Sequence, residues 1–269
     1  MNPFRQLIAS AGRQPPIGTW IMSASPLVAE AVGHAGFDWG VVDMEHSPLD
    51  MSGVVHLLQA VGNTPMVPVL RVPWNDAVTV KRVLDAGATT VMFPFVQCAD
   101  EAAQAVAATR YPPEGRRGLA GMSRATRFGT ASDYLATTHR EIGVVVQIES
   151  LAAVNAIDAI AAVPGVDALF LGPADLSADM GLLGQLMHPK VMDVMTRAAR
   201  RCGELGKPVG TIGGNPQEVT RYRAAGFGFV ALGSDLGLLV GAAQAALHAL
   251  RRQPGDADVH TLAGGTLTE

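Results

Sequence analysis

Three polar side chains close two apolar runs in the middle of the chain: Gln147 and Glu149 end GVVVQIES (143–150), and Asp175 follows GVDALFLGP (165–173). Apolar runs that stop abruptly in polar residues read as strands buried on both faces of a parallel sheet. Between them, LAAVNAIDAIAAVPG has apolar residues at helical spacing and stops at Pro164-Gly165, giving a strand, helix, strand unit. The two acids are about one βα repeat apart, so both carboxylates fall at the carboxyl ends of neighbouring strands. A (β/α)8 barrel keeps its chemistry there, and two facing acids can hold a hard divalent cation. A single acid in such a place is more often a helix cap or a first-turn residue, and Asp175 before Leu176-Ser177 fits that role too. The combination of Gln147, Glu149 and Asp175 with Gly172-Pro173 favours the metal.

Other strand ends add acid–base groups. VVDMEHSP offers Asp43, Glu45 and His46, the last a candidate general base. VLRVPWND offers Arg71, whose guanidinium is costly to bury unpaired and must face a carboxylate of the protein or of a substrate. The three lysines, Lys81, Lys190 and Lys207, fall in helices or at the amino end of a strand. No Schiff-base lysine is therefore expected, and a metal must act as electrophile if the substrate is a ketone. TIGGN (211–215) and ALGSD (231–235) form an alternative anion site, where Gly213, Gly214, Gly233 and Ser234 could cradle a phosphate through backbone amides. A phosphate-binding isomerase or lyase is the reading that follows from it.

The elements that must position these groups recur along the chain. IGTWIM, DWGVVD, MVPVLRV, TTVMFPFV, GVVVQIE, VDALFLG, KPVGTIG and FGFVALGSD are eight strand candidates alternating with helices, and glycines 36, 87, 165, 206 and 226 stand at the joints. A closed (β/α)8 barrel is expected over an open sheet, and no GxGxxG follows the first strand to suggest NAD. One connection is long: YPPEGRRGLAGMSRATRFG (111–129), with Arg116, Arg117, Arg124 and Arg127, reads as a solvated basic loop or as a lid for anionic substrates. The last helix, LGLLVGAAQAALHALRR, is apolar over enough of its surface to suggest burial against another subunit. Expected domains are one barrel over 1–252 and a disordered tail over 253–269. Of 269 residues, 48% are hydrophobic and 16% charged, with a net charge of −4. That balance gives no footprint for nucleic acid or an anionic membrane. No signal peptide or membrane span is legible, so a cytoplasmic protein is expected. Cys98 and Cys202 form neither a disulfide framework nor a zinc motif.

With DMEHSP, LRVPWND, VQIES and GPADLS in this order, the chain resembles the HpcH/HpaI family of metal-dependent pyruvate aldolases, which includes 4-hydroxy-2-oxoheptanedioate and 2-dehydro-3-deoxyglucarate aldolases. The resemblance spans roughly residues 4 to 250 and rests on the combination of motifs. It implies a phosphoenolpyruvate/pyruvate-type barrel with an exchanged last helix, assembled as a homo-hexamer, a trimer of dimers. It implies Mg²⁺, Mn²⁺ or Co²⁺ on Glu149 and Asp175, without PLP, and pyruvate or hydroxypyruvate as donor to an aldehyde. Arg71 would stabilise the enolate, Gln147 would contact the donor, and the backbone of Gly172, Pro173 and Ala174 would hold its carboxylate. His46 would move the proton with Asp85 orienting it, the subunit that supplies Asp85 being left open. Asp43, Glu45, Ser23, Arg117 and Arg124 belong to the surroundings or to the acceptor end. A citrate-lyase-like acyl-CoA lyase and a barrel that has become a binding protein are the other readings.

Overall fold

Eight parallel strands close into a barrel in sequence order in the computed structural model, which describes residues 1–10 and 14–251. The strands are β1 (Ile17–Ile21), β2 (Trp39–Asp43), β3 (Val67–Arg71), β4 (Thr90–Phe93), β5 (Gly143–Ile148), β6 (Ala168–Leu171), β7 (Val209–Gly213) and β8 (Phe229–Ser234). Helix α1 (Pro3–Ala9) precedes them, and α2 (Pro26–Gly33), α3 (Met51–Val61) and α4 (Ala77–Asp85) follow β1, β2 and β3 in turn. After β4 come α5 (Ala99–Thr109) and α6 (Tyr134–Glu141), after β5 α7 (Leu151–Asn155) and α8 (Ile157–Ala161), and after β6 α9 (Pro173–Asp179) and α10 (Pro189–Glu204). Helix α11 (Pro216–Ala224) follows β7 and α12 (Asp235–Arg251) follows β8. This is the (β/α)8 barrel expected from the alternation of apolar runs and helices.

The local reasons are visible in the sequence. Strands β2, β4, β5 and β6 are buried along their whole length, as continuous apolar runs require. All five joint glycines have positive φ, from +64° at Gly206 to +102° at Gly36, so each helix stops on a left-handed residue and the chain turns into the next strand. Two expectations differ. The fourth strand ends at Phe93 because Pro94 has no N–H for the ladder, and the following segment leaves the sheet. The helix between β5 and β6 is two short ones that meet at Ala156.

Side chains alternate across each strand, and this alternation points the functional groups inward. Trp39, Val41, Val69, Met92, Val145, Phe170 and Phe229 fill the barrel interior, while a larger apolar layer lies between the sheet and the helices. Asp43 follows Val41, Arg71 follows Val69 and Gln147 follows Val145 at intervals of two, so they top that interior column at the carboxyl end. The amino end is plugged by α1: Phe4 is fully buried and meets Trp39 and Phe229 edge-on at ring-centroid distances of 5.8 and 5.4 Å.

By internal contacts the chain divides after Asp235. The second unit, as far as it is described, is the remainder of α12, with Leu236, Leu239, Val240, Leu247 and Leu250 exposed. The expected tail from residue 253 lies outside the described residues. Among those, no helix is long and apolar enough to cross a membrane.

Candidate active site

Arg71 is the centre of the carboxyl-end cluster. The parallel register of β2 and β3 sets Asp43 directly beside Arg71. The pair is bidentate, Nε donating to Oδ1 at 2.9 Å and Nη2 to Oδ2 at 2.8 Å. Asp43 is fully buried and the Arg71 side chain is 8% exposed. A second acid, Glu45, brings Oε2 to 2.7 Å from Arg71 Nη1, an ion pair by charge rather than an aligned hydrogen bond. The Asp43 carboxylate also accepts from Glu45 N at 2.9 Å, and its carbonyl accepts from the Ser47 hydroxyl, which together fold the DMEHS turn onto the strand end. Beneath, the indole of Trp20 lies under the guanidinium, 5.5 Å from Cζ to the ring centroid. Trp20 was not singled out from the sequence. Its signal is positional, since it is an inward-facing residue near the carboxyl end of β1.

Glu149 and Asp175 stand on the neighbouring strand ends as the spacing predicts. Glu149 is buried; its Oε2 accepts from Phe95 N at 2.8 Å and its Oε1 from Gln147 Nε2 at 2.9 Å. Burial pushes the Glu149 carboxyl up to about 7; Asp175 and Glu45 add to the rise, against the Phe95 amide and Arg71. Glu45 is also raised, first by burial and then by Asp43 and Asp175, while Arg71 and His46 oppose the shift. Asp175 is exposed in the first turn of α9, whose N-cap is Gly172, so of the two helix-start roles open to it from sequence it has the first-turn position and not the cap. A Cβ at Gly172 would come within 2.5 Å of Glu149 Oε1, so only glycine lets the β6 end approach the carboxylate this closely.

The donor set fits a hard divalent cation. Glu149 and Glu45 are each raised by burial and by neighbouring carboxylates, Asp175 acting on both, and with one guanidinium among them they leave negative charge that a cation would neutralise. Gln147 Oε1 is buried without a hydrogen-bond partner beside them. Among the described residues no group of three or more His, Cys, Asp or Glu forms a ready protein cage. Two carboxylates with the remaining positions left to water and substrate is the Mg²⁺-like pattern.

Other predicted residues lie elsewhere. His46 is on the rim, 61% exposed, with Nε2 3.9 Å from Glu45 Oε2. Ser23 is half-buried at the end of β1, its amide donating to Asp235 Oδ2 at 3.1 Å. Asp85 is not with His46 in the same chain. It ends α4, which runs back roughly 13 Å to the amino face of the barrel, and there accepts from Arg117 Nη2 at 2.8 Å. Arg117 is wholly buried, its guanidinium 4.7 Å from the Tyr111 ring, and Arg124 Nη1 donates to Ala86 O at 2.9 Å. The arginine-rich segment is therefore not beside the rim acids of its own chain, which corrects the lid expectation within one chain. The glycine cradle is also differently used: Gly214 N donates to Glu218 Oε2 at 2.7 Å, and a carboxylate in that place repels phosphate.

The chain matches the HpcH/HpaI aldolase/citrate lyase family over residues 16–242. It belongs to this family. A 2-dehydro-3,6-dideoxy-6-sulfogluconate aldolase of Pseudomonas putida is 46% identical over 236 residues, 88% of this chain and 92% of the relative. A 5-keto-4-deoxy-D-glucarate aldolase of Salmonella arizonae is 45% identical over 237 residues, again 88% and 92%. An HpcH/HpaI aldolase/citrate lyase family protein from Burkholderia cenocepacia J2315 has a solved structure that superposes with a TM-score of 0.90 at 42% identity, covering 94% of this chain and 100% of that one. The chemistry of this HpcH/HpaI member is that of an aldolase, a carbon–carbon lyase.

Removing one partner of a buried ion pair costs roughly 3–5 kcal/mol. Asp43→Ala should lose an amount of that order in urea unfolding, and Glu45→Ala clearly less, because Glu45 is partly exposed and Arg71 keeps its fork on Asp43. Equal losses would show that the fork is not what secures Arg71.

Proposed function

We propose that this protein is a divalent-metal-dependent aldolase that reversibly cleaves a 4-hydroxy-2-oxo acid to pyruvate, or hydroxypyruvate, and an aldehyde. The observation that carries the reading is the braced Arg71 beside Glu149 and Asp175 at one barrel end. The named relatives act on six-carbon keto acids with a second acidic group at the far end, sulfonate in one and carboxylate in the other. A substrate with a distal anion, and hence a short anionic aldehyde as product, is the class we assign.

Glu149 and Asp175 would hold the cation, Mg²⁺, Mn²⁺ or Co²⁺, which supplies Lewis-acid polarisation of the keto oxygen. The protein's own groups do the rest. Arg71 uses two of its five N–H groups on Asp43, so its Nη atoms retain donors for the oxygen on which negative charge grows as the C3–C4 bond breaks. Gln147 Nε2 holds the Glu149 carboxylate in place. Of the backbone at Gly172 to Ala174, Gly172 N is engaged on Ile148 O and Pro173 has none, which leaves the first-turn amide of Ala174 for the substrate carboxylate. His46, open to solvent beside Glu45, takes the C4 hydroxyl proton; the C3–C4 electron pair passes to C3, and protonation there completes pyruvate. An Asp85 that orients this imidazole must come from a neighbouring copy, since its own lies at the opposite face.

Pyruvate release from a racemic 4-hydroxy-2-oxo acid should stop in EDTA, return with Mg²⁺, Mn²⁺ or Co²⁺, and survive borohydride added with substrate. A borohydride-trapped adduct on Lys81, Lys190 or Lys207 would replace the metal reading with Schiff-base chemistry.

His46→Ala should lower cleavage by on the order of 10²- to 10⁴-fold, the span of general acid–base catalysis, with metal binding kept. Unchanged turnover per folded site would remove His46 from the mechanism.

The exposed leucines of α12 fit a helix exchanged between subunits of a hexamer. Full-length protein should sediment as an oligomer, and a chain stopped before Leu236 as a monomer or an aggregate; a full-length monomer at working concentration counts against exchange.

A further inference from the structure

Phe95 has a left-handed backbone, φ +52°. A bulky L residue adopts that conformation only under constraint, whereas glycine adopts it freely. Such outliers persist where the surroundings over-determine them, and they cluster at functional sites. Here three consecutive residues fasten the segment after β4 to the end of β5. Phe95 N donates to Glu149 Oε2 at 2.8 Å, Val96 N donates to Gln147 O at 3.1 Å, and Gln97 Oε1 accepts from the Ser150 hydroxyl. With Gln147 Nε2 on Oε1, each oxygen of the Glu149 carboxylate accepts one hydrogen bond, and the one on Oε2 comes from the strained residue.

The ring has no place in the core. Phe95 is 43% exposed and stacks on Trp74, itself 58% exposed, with centroids 6.2 Å apart and planes 28° from parallel. Trp74 stands three residues beyond Arg71 in the loop between β3 and α4, so the stack ties the loop leaving Arg71 to the loop that grips Glu149. The backbone turn needs no ring, and a glycine would make it without strain. The aromatic side chain is therefore not needed to form the turn, and what it adds is the stack that holds it against Trp74.

We propose that Phe95 is a positioning residue for the metal-binding carboxylate: its stack on Trp74 clamps the left-handed turn, and the turn presents the amide that aims Glu149. The inference rests on the reading of Glu149 as a metal ligand. On this reading Phe95 acts through the orientation of that carboxylate, in the manner of outer partners that tune ligands elsewhere.

The test is Mn²⁺ affinity of the full-length protein without substrate, measured by calorimetry, with melting temperature and sedimentation coefficient recorded beside it. Trp74→Ala removes one half of the stack, and Phe95→Gly removes the other while keeping the amide and relieving the strain. Both should bind Mn²⁺ at least about 10-fold more weakly, the range for loss of an outer partner, with sedimentation unchanged. The conservative variants Trp74→Phe and Phe95→Tyr should retain the parent affinity. Unchanged affinity in either disruptive variant overturns the proposal. So does a loss confined to variants whose sedimentation has changed, which would make the ring pair a contact between copies. If the parent protein binds no Mn²⁺, the metal reading fails and the inference falls with it.

Discussion

A guanidinium held in a nearly closed barrel end is the constraint on which the rest of this site depends. Arg71 cannot be buried alone, because taking an unpaired charge out of water costs several kcal/mol. The register of β2 against β3 answers this directly by placing Asp43 as its lateral neighbour, so the fork closes without any loop having to move. Once Asp43 is engaged, its remaining capacity and the Ser47 contact fold the next turn so that Glu45 reaches the far side of the same guanidinium. His46 follows Glu45 and is thereby carried to the rim. One strand pairing thus orders four chemically active residues.

The same cost of burying charge shapes the opposite side of the site. Glu149 is nearly as buried as Asp43 but has no arginine fork of its own; its partners are a backbone amide and a glutamine. Those hydrogen bonds do not cancel its charge, and its carboxyl rises to about 7 because burial outweighs the Phe95 amide and Arg71 while Asp175 and Glu45 add to the rise. Two acids on one barrel end therefore differ in kind. Asp43 is structural ballast for a cation already in the chain, whereas Glu149 is a carboxylate whose own chain supplies no full counter-charge. A strained residue tied to the second and not the first, at a typical cost of about 1–3 kcal/mol, fits a carboxylate whose orientation matters to function.

Much of this is legible in the sequence. The eight strands, the five left-handed glycines and the strand-end positions of Asp43, Arg71, Gln147, Glu149 and Asp175 follow from period and punctuation, because a strand buried on both faces can end only where polar residues reach the rim. Phe95 was hidden for a physical reason: TTVMFPFV reads as an unbroken apolar strand, and only the missing N–H of Pro94 hints that the last three residues leave the ladder to serve the neighbouring strand. Trp20 was hidden because an aromatic residue on a strand is ordinarily core, and here it is core as well as the surface on which Arg71 lies.

The arginine-rich segment and Asp85 lie at the amino face of their own chain, and direction rather than chemistry puts them there. In a (β/α)8 barrel every strand-to-helix loop is at the carboxyl face and every helix-to-strand loop at the amino face. Residues 110–133 follow a helix, α5, so the insertion starts at the amino face before its composition matters, and Arg117 on Asp85 and Arg124 on Ala86 hold it there. Asp85, the last residue of α4, is fixed there by the same rule. Their mutual contact, Arg117 on Asp85 with Tyr111 against the guanidinium, is then the expected neutralisation of a buried cation by the nearest acid on its own side. Arg117 and Arg124 are held at the amino face and the four rim carboxylates stand at the carboxyl face. Within one chain they cannot share a ligand, and any anion they meet together must lie between two copies.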